Sequence, residues 1–515
     1  MTKKIYLITI SLFSILINYY FANRGVFPID SFLIFDSSFN ILSGNHPFKD
    51  YWLITGPFLD YIQSVFFILF GVNWFSYVLH ASLINMMLAL YSFYFFLNIG
   101  LKNFYAFIYS IGVAILAYPS IGTPFIDHHA VILCVMALYS LILGILTKKN
   151  IFWFITPIFI FFSFFSKQIP SPYIGFLFAS IILFYFFRVK NTKNLFYFFL
   201  GALLSLLIVC FIFVINEIPF QNFLIQYILY PLSLGEDRIS KLNLDFNNLI
   251  GQFKFIYLAI VPLLLSILLF KKSNIDNKEK KRDLLIVILF LGSVLIFIYC
   301  QLLTKNQVLI FFLIPVISGF THSYILKYFN KKYLVYLVLL IFIFSTVKYH
   351  LRFNYNKKFI ELANADFNLA VDANKLDTKF SGLRWISPMY INEPTKEIEL
   401  LIEVKNFLIN IKDKKVLITD YQFFASLLNN KIASPNKWYD SLSVPDKRNK
   451  YYNEYKKFFI TKINDNQIKY MYFIGKNKHS MSFFQEFISN NECIVSKKIN
   501  ELLVELNINK CKQLL

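Results

Sequence analysis

The chain has 515 residues, of which 57% are hydrophobic and 19% aromatic, and it carries a net charge of +21. Only 16% of its residues are charged, against about 25% in an ordinary soluble domain, and the mean hydropathy is +0.54; a wholly water-soluble protein is excluded. Lys and Arg sit mostly in short loops between apolar runs and in the last part of the chain, a pattern of membrane topology and anionic headgroups that argues against a nucleic-acid partner.

A spanning helix needs about 20 mostly apolar residues. Runs that meet or approach this length lie at 5–22, 75–97, 104–120, 125–146, 151–166, 172–187, 195–215, 253–270, 284–303, 307–326 and 333–349, which predicts eleven spans. The first run lacks a small-x-small cleavage site and reads as a retained helix rather than a signal peptide. With the N-terminus cytoplasmic, seventeen cations fall in inner loops and seven in outer ones (Arg24, Lys49, Lys167, Arg238, Lys241, Lys254 and Lys305). That is the asymmetry of the positive-inside rule. An odd number of spans then places the C-terminus outside a cell membrane.

Two outer segments are too long to be turns. In residues 23–74, Phe32, Phe35, Phe39 and Leu42 form one helical stripe, with Asp36, Asn40 and Ser43 on another face. Phe58 to Phe70 is apolar but broken by Asp60 and Gln63, and both stretches are expected to lie in the interface. Residues 217–252 form the second long loop.

From about residue 351 charge rises and apolar runs shorten. Helices are expected at Lys396–Ile411, Tyr451–Ile463 and Phe483–Ile488, and strands at Lys415–Thr419 and Ile468–Ile474. The expected organisation is a membrane part over 1–350 and a soluble α/β domain over 351–515. Cys493 and Cys511 are an even pair in the expected exported domain and form a disulfide candidate, two free thiols being the alternative.

No Walker loop, G-x-G-x-x-G ahead of a helix, H-E-x-x-H or zinc-spaced cysteine cluster is present, which argues against an ATP-driven pump or a metalloprotease. Polar groups gather instead at the outer ends of the spans. Asp30, in Pro28-Ile29-Asp30-Ser31, is either the N-cap of an interfacial helix or a carboxylate whose pKa is raised for general-base work. Lys49 and Asp50 lie in Gly44-Asn45-His46-Pro47-Phe48-Lys49-Asp50-Tyr51-Trp52, where both are solvated or bind substrate. Asp127-His128-His129 opens the fourth span; ionisable groups there are functional candidates, caps being the alternative, and Asp127 with His128 is a candidate divalent-metal pair. Lys167, between two short spans, either pairs with a lipid phosphate or anchors its stem along lipid, and Arg24, Arg238, Lys305 and Arg352 share that ambiguity.

In order, these motifs resemble multi-spanning glycosyltransferases of the GT-C fold, namely bacterial relatives of dolichyl-phosphate-mannose protein mannosyltransferases and of aminoarabinose transferases. The family has an acidic residue in its first outer loop, then Gly-x-x-Pro-aromatic about fourteen residues on, a Pro-rich stretch and Phe-Gly. Here Asp30 precedes Gly44 by fourteen, Gly44 to Tyr51 and Gly56-Pro57 follow, and Leu69-Phe70-Gly71 closes the loop. Asp127 and Phe165-Ser166-Lys167-Gln168 are similar to two later family motifs, so the resemblance covers about residues 1–190. The chain departs from the pattern at Ser31, where the family often has Glu, and at Thr55-Gly56-Pro57, where the aminoarabinose branch has Glu-Lys-Pro.

The resemblance implies transfer of a sugar, with inversion, from a polyprenyl-phosphate-linked donor to a hydroxyl on a glycan, lipid or protein. By carry-over Asp30 is the base and Asp36 its reserve, Asp50 and Asp127 orient a substrate, and Lys167 with Arg24, Arg238 or Lys305 meets the leaving phosphate. Two other classes compete. A flippase for a lipid-linked glycan needs broken helices or polar groups near the midplane, and an O-antigen-type polymerase or ligase needs more basic residues in a late outer loop than Arg238, Lys241 and Lys254.

Overall fold

The computed structural model describes residues 2–240, 242, 245–269, 275–305, 307–329, 332–428, 432–440, 442–475 and 493–511. A helix stands at each of the eleven apolar runs: Lys3–Ala22, Trp74–Asn98, Asn103–Leu116, Ile126–Thr147, Asn150–Ser166, Ser171–Val189, Thr192–Ile215, Lys254–Leu269, Asn277–Thr304, Leu313–Tyr328 and Lys332–Tyr349. Eight of the helical stretches are long and apolar enough to cross a membrane by themselves. Asn103–Leu116, Asn150–Ser166 and Lys254–Leu269 are the shorter ones, with 14, 17 and 16 residues. Burial sorts the helices by partner. Ile126–Thr147 is enclosed almost throughout, whereas Thr192–Ile215 leaves Phe199, Leu203, Leu207, Phe211 and Val214 exposed, the distribution of a bundle centre and a lipid-facing rim.

The loop after the first helix folds into Pro28–Ser31, Phe35–Leu42 and Phe58–Phe70. Its expected helical stripe exists, but Asp36, placed on the polar face by spacing, is buried. The reason is that the C-terminal part of the chain covers that face. Phe32 packs its ring against Trp74 at 5.1 Å, Phe380 at 5.6 Å, Trp385 at 5.9 Å and Phe423 at 4.9 Å. One continuous apolar cluster therefore joins membrane helices to residues beyond 351, and the division in composition is not a division in packing.

The C-terminal part contains a four-stranded sheet ordered Val416–Thr419, Tyr470–Ile474, Leu503–Asn507, Val495–Lys498. Val416 and Met471 are in register in the parallel first pair, whose crossover includes the helix Tyr452–Asp465; the other neighbours run antiparallel. The strands at 495–498 and 503–507 were not expected, because Val495–Lys498 is exposed along its length and carries no apolar alternation. The expected helix at Phe483–Ile488 lies outside the described residues. Cys493 and Cys511 are disulfide-bonded, with Cα atoms 5.2 Å apart.

Backbone pairing also fastens this part to the first loop. Gly25 and Val26 donate to the carbonyls of Arg384 and Ile386 at 3.0 and 2.9 Å, and Trp52 donates to Pro435 at 2.8 Å while accepting from Lys437 at 3.2 Å.

Candidate functional site

The turn Pro28–Ser31 sets the first site residue. The Ser31 hydroxyl accepts the Phe27 amide at 2.9 Å, so Ser31 does the capping that spacing alone allows to Asp30. The Asp30 side chain makes no cap bond and has no hydrogen-bond or ion-pair partner among the described residues. It faces two cavities at once. Burial pushes its carboxyl up to about 7, with further push from Asp127 and Glu361 and an opposing pull from Lys167.

The first cavity has a volume of about 690 Å³ and gathers Asp30, Asp127, Lys167 and Arg238. Three elements hold them in place. Asp127 stands in the first turn of the helix Ile126–Thr147 and is ion-paired with Lys167. Lys167 ends the helix Asn150–Ser166, and its loop is clamped by Gln168, which donates to the carbonyls of Ile54 at 2.7 Å and Tyr227 at 2.9 Å. Gly56 donates to Ser166 at 3.2 Å, and a Cβ there would fall on the Phe165 carbonyl, so the Thr55-Gly56-Pro57 turn sits directly against the Lys167 loop. Arg238 comes from the second long loop and has no charged partner among the described residues.

The fourth wall belongs to the C-terminal part: Trp438, Asp440, Leu442 and Ser443 line the same cavity. Asp440 shapes it by accepting the amides of Leu442 and Ser443 at 2.7 and 2.8 Å. Sequence reading missed this wall, and the aromatic-acid run Trp438-Tyr439-Asp440 was the available signal. Facing the cavity are two cations, Lys167 and Arg238, against four carboxylates, Asp30, Asp127, Glu236 and Asp440. With the rings of Tyr173, Tyr227 and Trp438, that lining suits a polyhydroxylated, uncharged group better than an anion: carboxylates accept from hydroxyls and rings cover apolar faces.

The second cavity measures about 610 Å³ and has the opposite charge. Lys254, Lys305, Lys348, Arg352 and Lys358 line it, with Asp30 and Glu361 as its carboxylates. Lys305 and Arg352 were singled out in the sequence. Lys348 and Lys358 were not, because one lies in the last turn of a spanning run and the other sits in a connection whose path only the fold decides.

Several expected site residues lie elsewhere. Asp36 lines neither Asp30 cavity: its carboxylate accepts the Ala425 and Ser426 amides at 2.9 and 3.1 Å, at the start of the short helix Phe424–Leu427. Burial pushes its carboxyl up to about 7, against the pull of those two amides and of Lys379. Asp50 accepts from the His46 amide at 2.7 Å and lies 3.9 Å from Lys462, and Lys49 pairs with Glu217 at 3.0 Å; neither lines the Asp30 cavities. Both pairings close loops. Arg24 is enclosed by Phe367, Tyr355 and Tyr20 at 4.7, 5.4 and 5.6 Å.

The metal pair also fails to form. Asp127 is committed to Lys167, and His128 turns into the bundle against Tyr118 and Phe312 at 4.6 and 5.9 Å. No group of three or more His, Cys, Asp or Glu side chains gathers to hold an ion among the described residues. Asp127 and His128 as placed do not fit a divalent metal.

No family model matches the chain, and no curated protein matches it. Among solved structures it is similar to the Archaeoglobus fulgidus oligosaccharyltransferase in complex with Zn and sulfate, at 14% identity and a TM-score of 0.45, over 91% of this chain and 67% of that one. It is similar to the oligosaccharyltransferase AglB from Archaeoglobus fulgidus in complex with an inhibitory peptide and a dolichol-phosphate, at 14% identity and 0.45, over 91% and 69%. It is also similar to ArnT from Cupriavidus metallidurans bound to undecaprenyl phosphate, at 10% identity and 0.41, over 97% of each chain.

Proposed function

We propose that this chain is a membrane glycosyltransferase that moves a sugar from a polyprenyl-phosphate-linked donor to an acceptor hydroxyl on the outer face of the cell membrane. The observation that carries this reading is one unpartnered carboxylate, Asp30, standing where a carboxylate-rich, ring-lined cavity meets a cationic one. An acceptor sugar hydroxyl enters from the first cavity and gives its proton to Asp30 as its oxygen attacks the anomeric carbon. The bond from that carbon to the phosphate oxygen breaks in line, with inversion, and the lipid phosphate departs with the bonding electrons. Fixed cations stabilise such a leaving charge, and Lys254, Lys305, Lys348, Arg352 and Lys358 line the second cavity. The Lys167–Asp127 pair fixes part of the carboxylate wall, and Arg238 lines the same cavity.

The base must be ionised to act, so its pKa sets the pH dependence. With Asp30 held at about 7, kcat/KM for transfer should rise about tenfold per pH unit below that value and level off above about pH 8. Proteoliposomes supplied with a panel of radiolabelled polyprenyl-phosphate hexoses and pentoses test this by release of polyprenyl phosphate. A rate that is flat from pH 5 to 8, or lipid crossing the bilayer with no glycosidic bond broken, removes Asp30 from the chemistry.

Gly56→Ala tests the support of the Lys167 loop. The added methyl meets a backbone carbonyl, not a flexible side chain, so the loop must move. A displacement near 1 Å costs about 10²-fold in rate. The expected result is a loss of that order in kcat with a folded, membrane-inserted protein; wild-type kcat removes the loop from the positioning of Asp127.

A further inference from the structure

Asp30 sits in a turn too short to hold itself. Pro28–Ser31 is a helix of four residues, and a single helical turn is unfavourable on its own. Phe27 closes it: its carbonyl accepts the Asp30 and Ser31 amides at 3.0 and 2.7 Å, and its amide donates to the Ser31 hydroxyl at 2.9 Å. Phe27 is itself placed from the C-terminal part. Gly25 and Val26, just before it, donate to Arg384 and Ile386. Ile386 belongs to the apolar cluster on which Phe27 packs, and Phe32, just after the turn, stacks on Trp385 at 5.9 Å. The place of Asp30 is therefore tied to the segment 384–387.

That segment has little structure of its own. Arg384–Trp385 is a two-residue strand paired with Val371–Asp372, and so small a ladder is marginal at best. Glu397, in the first turn of the helix Pro394–Ile409, supplies the anchor. One of its carboxylate oxygens accepts the Trp385 indole N–H at 2.8 Å and the Ser387 hydroxyl at 2.7 Å, and the other accepts the Tyr421 hydroxyl at 2.8 Å. All four side chains are fully enclosed. A buried carboxylate is unfavourable unless it is hydrogen-bonded, and the start of a helix favours its charge. Tyr421 extends the hold to the far side of the loop. Gln422, the next residue, accepts the Asp36 amide at 3.1 Å, and Phe423 packs on Phe32 at 4.9 Å.

Glu397 lines neither cavity. The charged groups that share the first cavity with Asp30 are Asp127, Lys167, Glu236, Arg238 and Asp440; Glu361 and the five cations already named share the second. Any effect of Glu397 on Asp30 must therefore pass through the segments it ties together. We infer that Glu397 is a positioning residue for Asp30, acting through Trp385, Ser387 and Tyr421 to hold the Asp30 turn against the C-terminal part. The consequence for catalysis rests on the glycosyltransferase reading; the placement of Asp30 does not.

The experiment uses the full chain in proteoliposomes and compares Glu397→Leu with Glu397→Gln. Leucine removes the acceptor of three buried donors. Glutamine keeps an oxygen for the donor-only indole and for Ser387, while Tyr421 turns its hydroxyl to accept from the amide. Glu397→Leu should lower kcat by about 10–10²-fold and leave the donor KM within about twofold, whereas Glu397→Gln should stay within about threefold of the wild type in both. The pH of half-maximal transfer, set by Asp30 at about 7, should fall by about one unit or more in the leucine variant, because a loosened turn lets water reach the carboxyl. It should not move in the glutamine variant. Labelling of Asp30 by dicyclohexylcarbodiimide, which takes protonated carboxyls, read by mass spectrometry across pH, should show the same shift with no sugar donor present. If the leucine variant does not fold, Ser387→Ala with Tyr421→Phe removes two of the three donors and should shift the labelling midpoint in the same direction. An unmoved midpoint in the folded variant overturns the inference, whatever the yield of active protein, and so does a glutamine variant shifted as far as the leucine one. Failure of the two ideas is separable. A shifted midpoint in a chain that transfers no sugar keeps the role of Glu397 and sinks the enzyme; transfer that depends on Asp30, with an unmoved midpoint, does the reverse.

Discussion

Asp30→Asn should abolish measurable sugar transfer, lowering kcat by about 10²–10⁴-fold, the usual contribution of a positioned general base. The amide keeps the shape of the carboxyl and removes its basicity. The fold should survive, because the turn is closed by Ser31 accepting from Phe27 and Asp30 makes no cap bond. The sign of the stability change is also set. A carboxyl whose pKa is raised from 3.8 to about 7 by burial is held preferentially in its neutral form by the folded state. Its contribution is therefore fully present below about pH 4 and lost as pH rises through about 7. Asparagine cannot ionise, so the variant should melt at or above the wild-type temperature at pH 8. Transfer assays beside thermal unfolding of the same preparation make the check: an active variant refutes the role of Asp30, and an inactive but unfolded one shows that the turn needs the carboxyl itself.

The largest stability effect is expected at Lys437. Its ammonium lies 2.8 Å from Asp60 with the two side chains 2% and 0% exposed. Asp60 also accepts from the Ser37 hydroxyl at 2.6 Å, and its second oxygen has no partner among the described residues. Truncating one partner of a buried pair strands the other charge and costs about 3–5 kcal/mol. Lys437→Met should therefore lower the melting temperature and open the C-terminal part to limited proteolysis, whereas Lys437→Met with Asp60→Leu should restore much of the loss, since a matched apolar replacement is often neutral or better. Because Trp438 and Asp440 follow directly and line the first cavity, the single variant should lose transfer as well. A single variant as stable as the wild type, or a double variant worse than the single, would show that the pair does not hold the two parts together.

Both experiments probe the same junction from opposite sides. Asp30 and Asp60 belong to the loop after the first helix, Lys437 to a segment more than three hundred residues later. The loop is held by backbone pairing at 25–26 and 52, by the aromatic packing of Phe32, and by Asp36 accepting two amides of Phe424–Leu427. In this arrangement the C-terminal part is a wall of the candidate site.

Hydropathy by itself determined where eleven apolar helices lie, eight of them in stretches long and apolar enough to cross a membrane, because a lipid environment demands about 20 apolar residues in a row. Local motif order singled out Asp30, Asp127 and Lys167, and the count of outer-loop cations added Arg238; the fold brings all four to one cavity. It also singled out Asp36, Asp50, Lys49 and His128, which lie apart from it. In sequence these two sets look alike: each is a polar residue near the end of an apolar run. What separates them is the partner each side chain meets, and those partners are distant in the chain, Ala425 for Asp36, Glu217 for Lys49, Lys462 for Asp50 and Phe312 for His128. The cationic cavity was illegible for the same reason, since its five cations span residues 254 to 358 and meet only through helix packing. Whether a carboxylate caps, pairs or stays free is a property of what is packed against it, and for Asp30 only the tertiary structure decided that it stays free.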